Sequence, residues 1–107
     1  MKLHRQPLES DIAKLVAILK TLRPEKIMIF GSAARGQVSE WSDLDVIVIK
    51  KTTEPFIRRL RNAPSLLSLS RSCDLLIYTP QEFSKLVKTQ SPFVKNILKE
   101  NRVLYET

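Results

Sequence analysis

The chain has 107 residues, of which 43% are hydrophobic and 27% are charged, and this balance predicts one globular domain over residues 1–107. Neither a secretory leader nor an apolar run of about 18 residues is present, so export and membrane spanning are not indicated. The single cysteine, Cys73, excludes an internal disulfide and agrees with a reducing compartment. We therefore expect a cytoplasmic protein.

The net charge of +7 is unevenly distributed along the chain. Residues 46–107 hold 11 basic and 5 acidic side chains, whereas residues 1–45 are nearly neutral. Such an excess can attract RNA, a nucleotide or an acidic protein, or it can be an ordinary solvated surface, and the sequence leaves these alternatives open. The densest basic segment contains Lys50, Lys51, Arg58, Arg59, Arg61 and Arg71.

The first predicted elements are a helix and a strand. Leucine, isoleucine and valine recur at spacings of three and four over residues 8–22, which predicts an amphipathic helix ended by Pro24. The β-branched and aromatic run at residues 26–30 predicts a strand that ends at Gly31. We expect a short helix to begin after this glycine.

Two further strands are predicted in the middle of the chain. Residues 43–49 and 73–79 each end in a run that is apolar on both faces, which is typical of a strand inside a covered sheet. The segment between them, residues 54–69, is predicted to start as a helix and to break near Pro64.

Helix start signals dominate the last third of the chain. Residues 79–82, TPQE, combine a capping box with proline at the first helical position and predict a helix over residues 80–89. Ser91, followed by proline, repeats the signal before a helix over residues 92–100. Residues 103–105 could form a short edge strand. Strands that alternate with helices predict a small α/β sandwich.

The glycine turn FGSAARGQ, residues 30–37, raises the question of phosphate binding. Gly31 and Gly36 have the spacing of a Walker A loop. Gln37 and Val38 nevertheless stand where that loop needs a lysine and a hydroxyl residue. A Walker A site is therefore not predicted, and any phosphate bound here needs another source of charge.

Two carboxylates follow the turn closely. Asp43 and Asp45 are two residues apart on a predicted strand, so they should project from the same face. Such a pair repels unless a cation lies between, and Mg²⁺ prefers carboxylate and phosphate oxygens. Asp74 opens the next strand and could add a third carboxylate, while alternation places Cys73 on the opposite face. The glycine turn, the Asp43 and Asp45 pair and Asp74 are each more often structural than functional when they occur alone, but their combination is specific.

The segment GSAARGQVSEWSDLDVIVI resembles the signature of the DNA polymerase beta type nucleotidyltransferase superfamily, which is Gly-Ser, ten residues, Asp-x-Asp. The pairs Arg35-Gly36 and Ser42-Asp43 are most similar to the small stand-alone members, the minimal nucleotidyltransferases. The similarity includes the leading helix and the Val-Leu-Tyr-Glu ending. The resemblance implies an α/β fold with a small mixed sheet flanked by helices.

The resemblance also implies a set of site residues. Gly31 and Ser32 would form the phosphate-binding turn. Asp43 and Asp45 would bind magnesium, and Asp74 would help to bind the metal and deprotonate an acceptor hydroxyl. The family transfers a nucleoside monophosphate from a triphosphate to that hydroxyl and releases pyrophosphate.

Further residues beside the nucleotide are implied at Arg35, Gly36 and Ser42. Arg35 could contact a phosphate or could hold the turn by pairing with a nearby carboxylate, and we favour the second interpretation. Trp41 could stack on a base or cover the core, and the core is the simpler expectation.

Minimal nucleotidyltransferases are typically paired with a HEPN-type partner as antitoxins of toxin-antitoxin modules, and some add AMP to that partner. The resemblance therefore implies a magnesium- and ATP-dependent protein adenylyltransferase acting as an antitoxin. One alternative is an antitoxin that binds nucleotide without catalysis and neutralises its partner by contact. Another, suggested only by charge, is an RNA-binding module. A homo- or hetero-oligomer is compatible with each.

Overall fold

The computed structural model describes residues 7–35 and 43–107, and the side chain of Ser32 lies outside the described set. The helices are α1 (Leu8–Leu19), α2 (Phe56–Arg61), α3 (Pro80–Lys88) and α4 (Pro92–Lys99). The strands are β1 (Lys26–Phe30), β2 (Leu44–Ile49), β3 (Cys73–Tyr78) and β4 (Asn101–Glu106).

The four strands form one mixed sheet in the order β3-β2-β1-β4. β1 pairs antiparallel with both β2 and β4, whereas β2 pairs parallel with β3. The mixed sheet and the interior position of β2 confirm the predictions. The prediction for β3 was wrong in one respect, because within the described residues this strand lies at an edge of the sheet. β4 is an edge strand as expected, but it is longer than predicted.

Alternating side chains give the sheet two buried faces. Val46 and Val48 of β2 pack on one side in a core with α1, and Ile47 and Ile49 pack on the other side. The second side is covered by Ile97 of α4 and by α3. The residues that α1 contributes to the first core are all nearly inaccessible to solvent: Ile12, Leu15 and Leu19.

Local capping signals account for the helix boundaries. The Thr79 hydroxyl accepts a hydrogen bond from the Glu82 backbone N–H (3.1 Å), and the Glu82 carboxylate accepts one from the Thr79 N–H (2.8 Å), which confirms the predicted capping box. α4 begins with the predicted proline, but Ser91 makes no capping hydrogen bond through its side chain. α1 continues into a 3₁₀ turn over Lys20–Leu22, so its predicted extent is also confirmed.

Two arginines of the predicted basic segment are buried and paired, which corrects the expectation that the whole segment is a surface. Arg59 donates to both carboxylate oxygens of Glu82 (2.6 and 3.2 Å), and only 7% of its side chain is exposed. Arg71 donates to Asp11 (2.7 Å), which has no exposed surface. Each charge is neutralised inside the fold, so neither arginine can dock a polyanion.

None of the helices in the described part of the chain is long and apolar enough to span a bilayer.

Candidate active site

The glycine turn lies directly at the end of β1. Gly31 has a φ of +74°, a conformation that side chains with a Cβ rarely adopt. A Cβ at this position would also lie 3.2 Å from Oδ2 of Asp45. The Ala34 N–H donates to the Gly31 carbonyl (3.1 Å) and closes the turn. Glycine is therefore needed both for the turn and for the close approach of the backbone to the Asp45 carboxylate.

The sheet register brings two of the predicted carboxylates together. Asp45 is the parallel register partner of Asp74 across β2 and β3, and it is the antiparallel partner of Phe30 across β2 and β1. Both aspartates alternate in phase with Ile47, so they lie on the face of the sheet that α3 and α4 cover. Asp43 is exposed and immediately precedes β2, so it lies one residue outside the observed strand, although the predicted strand began at this residue.

The charges of Asp43 and Asp74 act electrostatically on Asp45. Burial raises the pKa of Asp45 above its ordinary value, and the negative charges of Asp74 and Asp43 raise it further. Such a cluster favours a cation at Asp45, because a positive charge would relieve the repulsion between the ionised groups.

The donor set fits a hard divalent cation without forming a closed cage. Carboxylate oxygens are preferred ligands of Mg²⁺, which commonly takes one or two carboxylates and completes its shell with substrate phosphates and water. Across residues 7–35 and 43–107, no three His, Cys, Asp or Glu side chains are gathered closely enough to hold a metal by themselves. Asp43, Asp45 and Asp74 are thus neighbours that would need the substrate's phosphates to complete a metal site.

Cys73 lies on the opposite face from its neighbour Asp74, as alternation predicts. Its side chain packs against the core that contains α1. Burial, and to a lesser degree the charges of Asp74, Asp45 and Asp43, raise the pKa of the Cys73 thiol to about 12. A thiol with so high a pKa is protonated at neutral pH, which makes it a poor nucleophile.

Arg35, at the far end of the turn, forms an ion pair with Glu100, the residue that follows α4. This contact agrees with the interpretation in which Arg35 holds the turn by pairing with a carboxylate. Glu100 was not identified from the sequence, because its partner is 65 residues away and no periodic signal connects them. A role of Arg35 in phosphate binding stays a prediction.

A cleft of about 460 Å³ adjoins the turn and Asp45. The turn and β2 contribute Gly31, Arg35 and Asp45 to its lining. The remaining lining residues come from the end of β1 and from α4 with its C-cap: Phe30, Phe93, Asn96, Lys99 and Glu100. The sequence did not point to this contribution of α4, since the helix is not adjacent to the motif along the chain.

The other site predictions fall outside the described residues. These are Gly36 and Ser42 beside the nucleotide, Gln37 and Val38 at the former Walker positions, and Trp41. The side chain of Ser32 is likewise not described, although its backbone lies in the 3₁₀ turn Gly31–Ala33.

A mixed sheet that brings a glycine turn beside paired aspartates is the architecture that the sequence motif implied, and comparison with known proteins agrees. The chain matches the family model "Polymerase beta, Nucleotidyltransferase" over residues 13–107. It therefore belongs to the polymerase beta nucleotidyltransferase family, which is a family of enzymes.

A relative from Methanocaldococcus jannaschii is similar to this chain over most of its length. That protein bears the name "Putative protein adenylyltransferase", and it is 32% identical to this chain over 100 residues. The matched region covers 91% of this chain and 97% of the relative.

Solved structures confirm the fold. A crystal structure of a toxin-antitoxin complex with AMP-PNP superimposes with a TM-score of 0.65 and 24% identity, over 90% of this chain and 73% of that one. The toxin-antitoxin complex MntA-HepT matches with a TM-score of 0.59 and 22% identity, over 92% and 73% of the two chains. At this level of identity the likeness shows the polymerase beta-like nucleotidyltransferase fold.

Proposed function

We propose that this protein is a magnesium-dependent adenylyltransferase that transfers AMP from ATP to a hydroxyl group of a partner protein. The observation that carries the proposal is the register pairing of Asp45 with Asp74 beside the Gly31 turn. The relative named as a protein adenylyltransferase supports a protein as the acceptor. The single cysteine, Cys73, is a free thiol, which is compatible with a reducing cytoplasm, where we place the protein.

Each group of site residues has a separate role in the proposed reaction. The backbone amides of Gly31 and Ser32 bind the outer phosphates, since a glycine turn can direct several N–H groups at an anion. Asp43 and Asp45 would hold magnesium, and the bound ion would stabilise negative charge on the phosphate oxygens. Asp74 accepts the proton of the acceptor hydroxyl. The acceptor oxygen bonds to the α-phosphorus as the bond to pyrophosphate breaks.

A partner is needed to align the acceptor. In the described part of the chain, the end of the sheet that carries Asp45 and Asp74 is already taken up by the Gly31 turn and the cleft. Alignment of reactants can contribute up to about 7–11 kcal/mol, so an acceptor that meets the site by random collision should react slowly. We propose a HEPN-type toxin as the partner and the role of antitoxin for this chain. The fold shared with antitoxin-containing complexes supports this assignment.

A second candidate is an antitoxin that binds nucleotide and neutralises its partner by contact alone. It is compatible with the described carboxylates, which by themselves form no three-residue metal cage. The RNA-binding alternative is weakened, because Arg59 and Arg71 are buried in ion pairs and cannot contact RNA.

The proposal is tested by incubating the purified chain with labelled ATP and magnesium, with and without the protein encoded by the adjacent gene. Mass increments of one AMP are followed on each protein. Label on the partner that disappears in Asp43→Asn, but persists in the matched surface variant Glu106→Gln, supports adenylyl transfer. Tight binding and toxin neutralisation without label, unaffected by Asp43→Asn, would instead support the contact mechanism.

A further inference from the structure

We propose that the cleft beside Asp45 holds the nucleoside of the triphosphate, with Phe93 stacking on the base and Asn96 reading its edge, so that α4 selects adenine. This inference rests on the proposed function, because it requires a nucleoside triphosphate at the Gly31 turn. It goes beyond that function by naming the residues that choose the base.

Phe93 is held beside the site with part of its ring free. The ring meets that of Phe30 edge to face, with centroids 5.7 Å apart and planes at 89°. Phe30 directly precedes Gly31 and is the register partner of Asp45, so this contact ties Phe93 to the catalytic end of the sheet. The Phe93 side chain is still 39% exposed and lines the cleft. An exposed ring in this place is suited to stacking on a base.

Asn96 follows Phe93 by three residues, so both side chains lie on one face of α4. It also lines the cleft, and no described residue makes a hydrogen bond with its carboxamide. A carboxamide offers one donor group and one acceptor side by side, which complements adenine, because adenine presents a donor amine beside an acceptor ring nitrogen.

The position of this helix face is set by the core. Val94 and Ile97 are each 1% exposed, and Ile97 packs against the sheet, which turns Phe93 and Asn96 toward the cleft.

Lys99 also lines the cleft, and no described carboxylate lies within ion-pair distance of its ammonium group. The cleft volume of about 460 Å³ falls within the range of about 300–1,000 Å³ that is typical of small-molecule sites.

The inference is tested by calorimetry with non-hydrolysable ATP and GTP analogues in the presence of magnesium. Phe93→Leu should weaken binding of both analogues by about tenfold, because stacking does not distinguish bases, and Phe93→Tyr should keep the affinity. Asn96→Asp should reduce the preference for ATP over GTP by about tenfold or more, because a carboxylate accepts hydrogen bonds from guanine but cannot donate to adenine. Gln81→Glu makes the same chemical change at an exposed position of α3 outside the cleft and should have no effect.

The outcomes separate the two proposals. If the wild type binds ATP while Phe93→Leu and Asn96→Asp bind both analogues with unchanged affinity, the assignment of the cleft is wrong and the proposed function stands. If the wild type binds neither analogue, both proposals are overturned. If Phe93→Leu unfolds, the base preference of Asn96→Asp still decides the question, because a loss of stability alone does not exchange one base for another.

Discussion

Asp45 and Asp74 are register partners on two parallel strands, and they lie on the same face of the sheet. Two carboxylates held side by side repel each other, and the pKa of Asp45 is raised by burial and by the charge of Asp74. The arrangement opposes ionisation in the absence of a cation. A cation bound beside Asp45 would therefore favour the ionised form of its carboxyl group.

The first prediction concerns the metal. In the wild type, magnesium should strengthen ATP binding, because Asp43 and Asp45 would hold an ion that also attracts the phosphates. Replacing both Asp43 and Asp45 by Asn should abolish this dependence. Calorimetry with and without magnesium measures the effect. Equal affinity for ATP in both conditions in the wild type would remove the metal from the proposed site.

The second prediction assigns Asp74 to proton transfer. Asp74→Asn should leave ATP affinity nearly unchanged while it lowers turnover by about two to four orders of magnitude, the usual contribution of a general base. Steady-state labelling of the partner protein measures turnover, and Glu106→Gln on β4 is the control. Normal turnover in Asp74→Asn would reduce this residue to a structural role at the edge of the sheet.

The third prediction concerns Gly31, whose φ of +74° and proximity to Asp45 both disfavour a side chain. Gly31→Ala should lower the free energy of unfolding by about 1–2 kcal/mol through backbone strain alone. It should cost more when the Asp45 carboxylate is present, because the new Cβ would displace Oδ2. A double-mutant cycle with Asp45→Ala measures this coupling by denaturant unfolding. Strictly additive effects would show that the approach of the two residues is unimportant.

The fourth prediction concerns Asp11, a fully buried carboxylate that the sequence analysis did not single out. Burial opposes its ionisation, but hydrogen bonds from Ser70 (2.6 and 3.0 Å) and Arg71 (2.7 Å) outweigh that effect, so the pKa of Asp11 is lowered below 3.8. Its stabilising contribution is therefore present above about pH 4 and is lost as the pH falls through the lowered pKa.

Asp11→Asn should accordingly reduce the free energy of unfolding at neutral pH by about 3–5 kcal/mol, the typical effect of breaking a buried ion pair. The difference from the wild type should narrow as the pH falls below about 4, because the carboxylate is protonated first in the unfolded chain and at lower pH in the folded one. Urea unfolding between pH 3 and 7 measures both effects, with the exposed Glu9→Gln as a control that should change stability little. A difference that stays constant down to pH 3 would contradict the assignment.

The fifth prediction separates exposed from buried arginines. Replacing exposed Arg58 and Arg61 together by Gln should preserve the fold and flatten the salt dependence of association with an acidic partner. Arg59→Gln should instead lower the free energy of unfolding by about 2 kcal/mol, because it removes charged hydrogen bonds to Glu82. Titrations at several salt concentrations, together with thermal unfolding, distinguish the two. An unchanged salt slope in the double variant would make Arg58 and Arg61 an ordinary solvated surface.

Sequence patterns that involve only residues close together along the chain were sufficient to predict much of the fold. The apolar runs predicted β1 at residues 26–30 and placed β2 and β3 to within one residue of their observed ends. The capping box at Thr79 located the start of α3, since both of its hydrogen bonds join residues within one turn. The motif in residues 31–45 identified the family because its spacing is itself a property of the sequence.

Only the tertiary structure decided which distant residues meet. β3 looked like an interior strand because both of its faces are apolar, yet the sheet order places it at an edge within the described residues. Arg59 looked like a surface charge, but it is buried against Glu82 of α3. The sequence by itself thus determined the family motif and the local elements, because hydrophobic period, turn chemistry and caps act over a few residues. The burial of charges and the α4 side of the cleft depend on how separate elements pack, for which a linear pattern carries no signal.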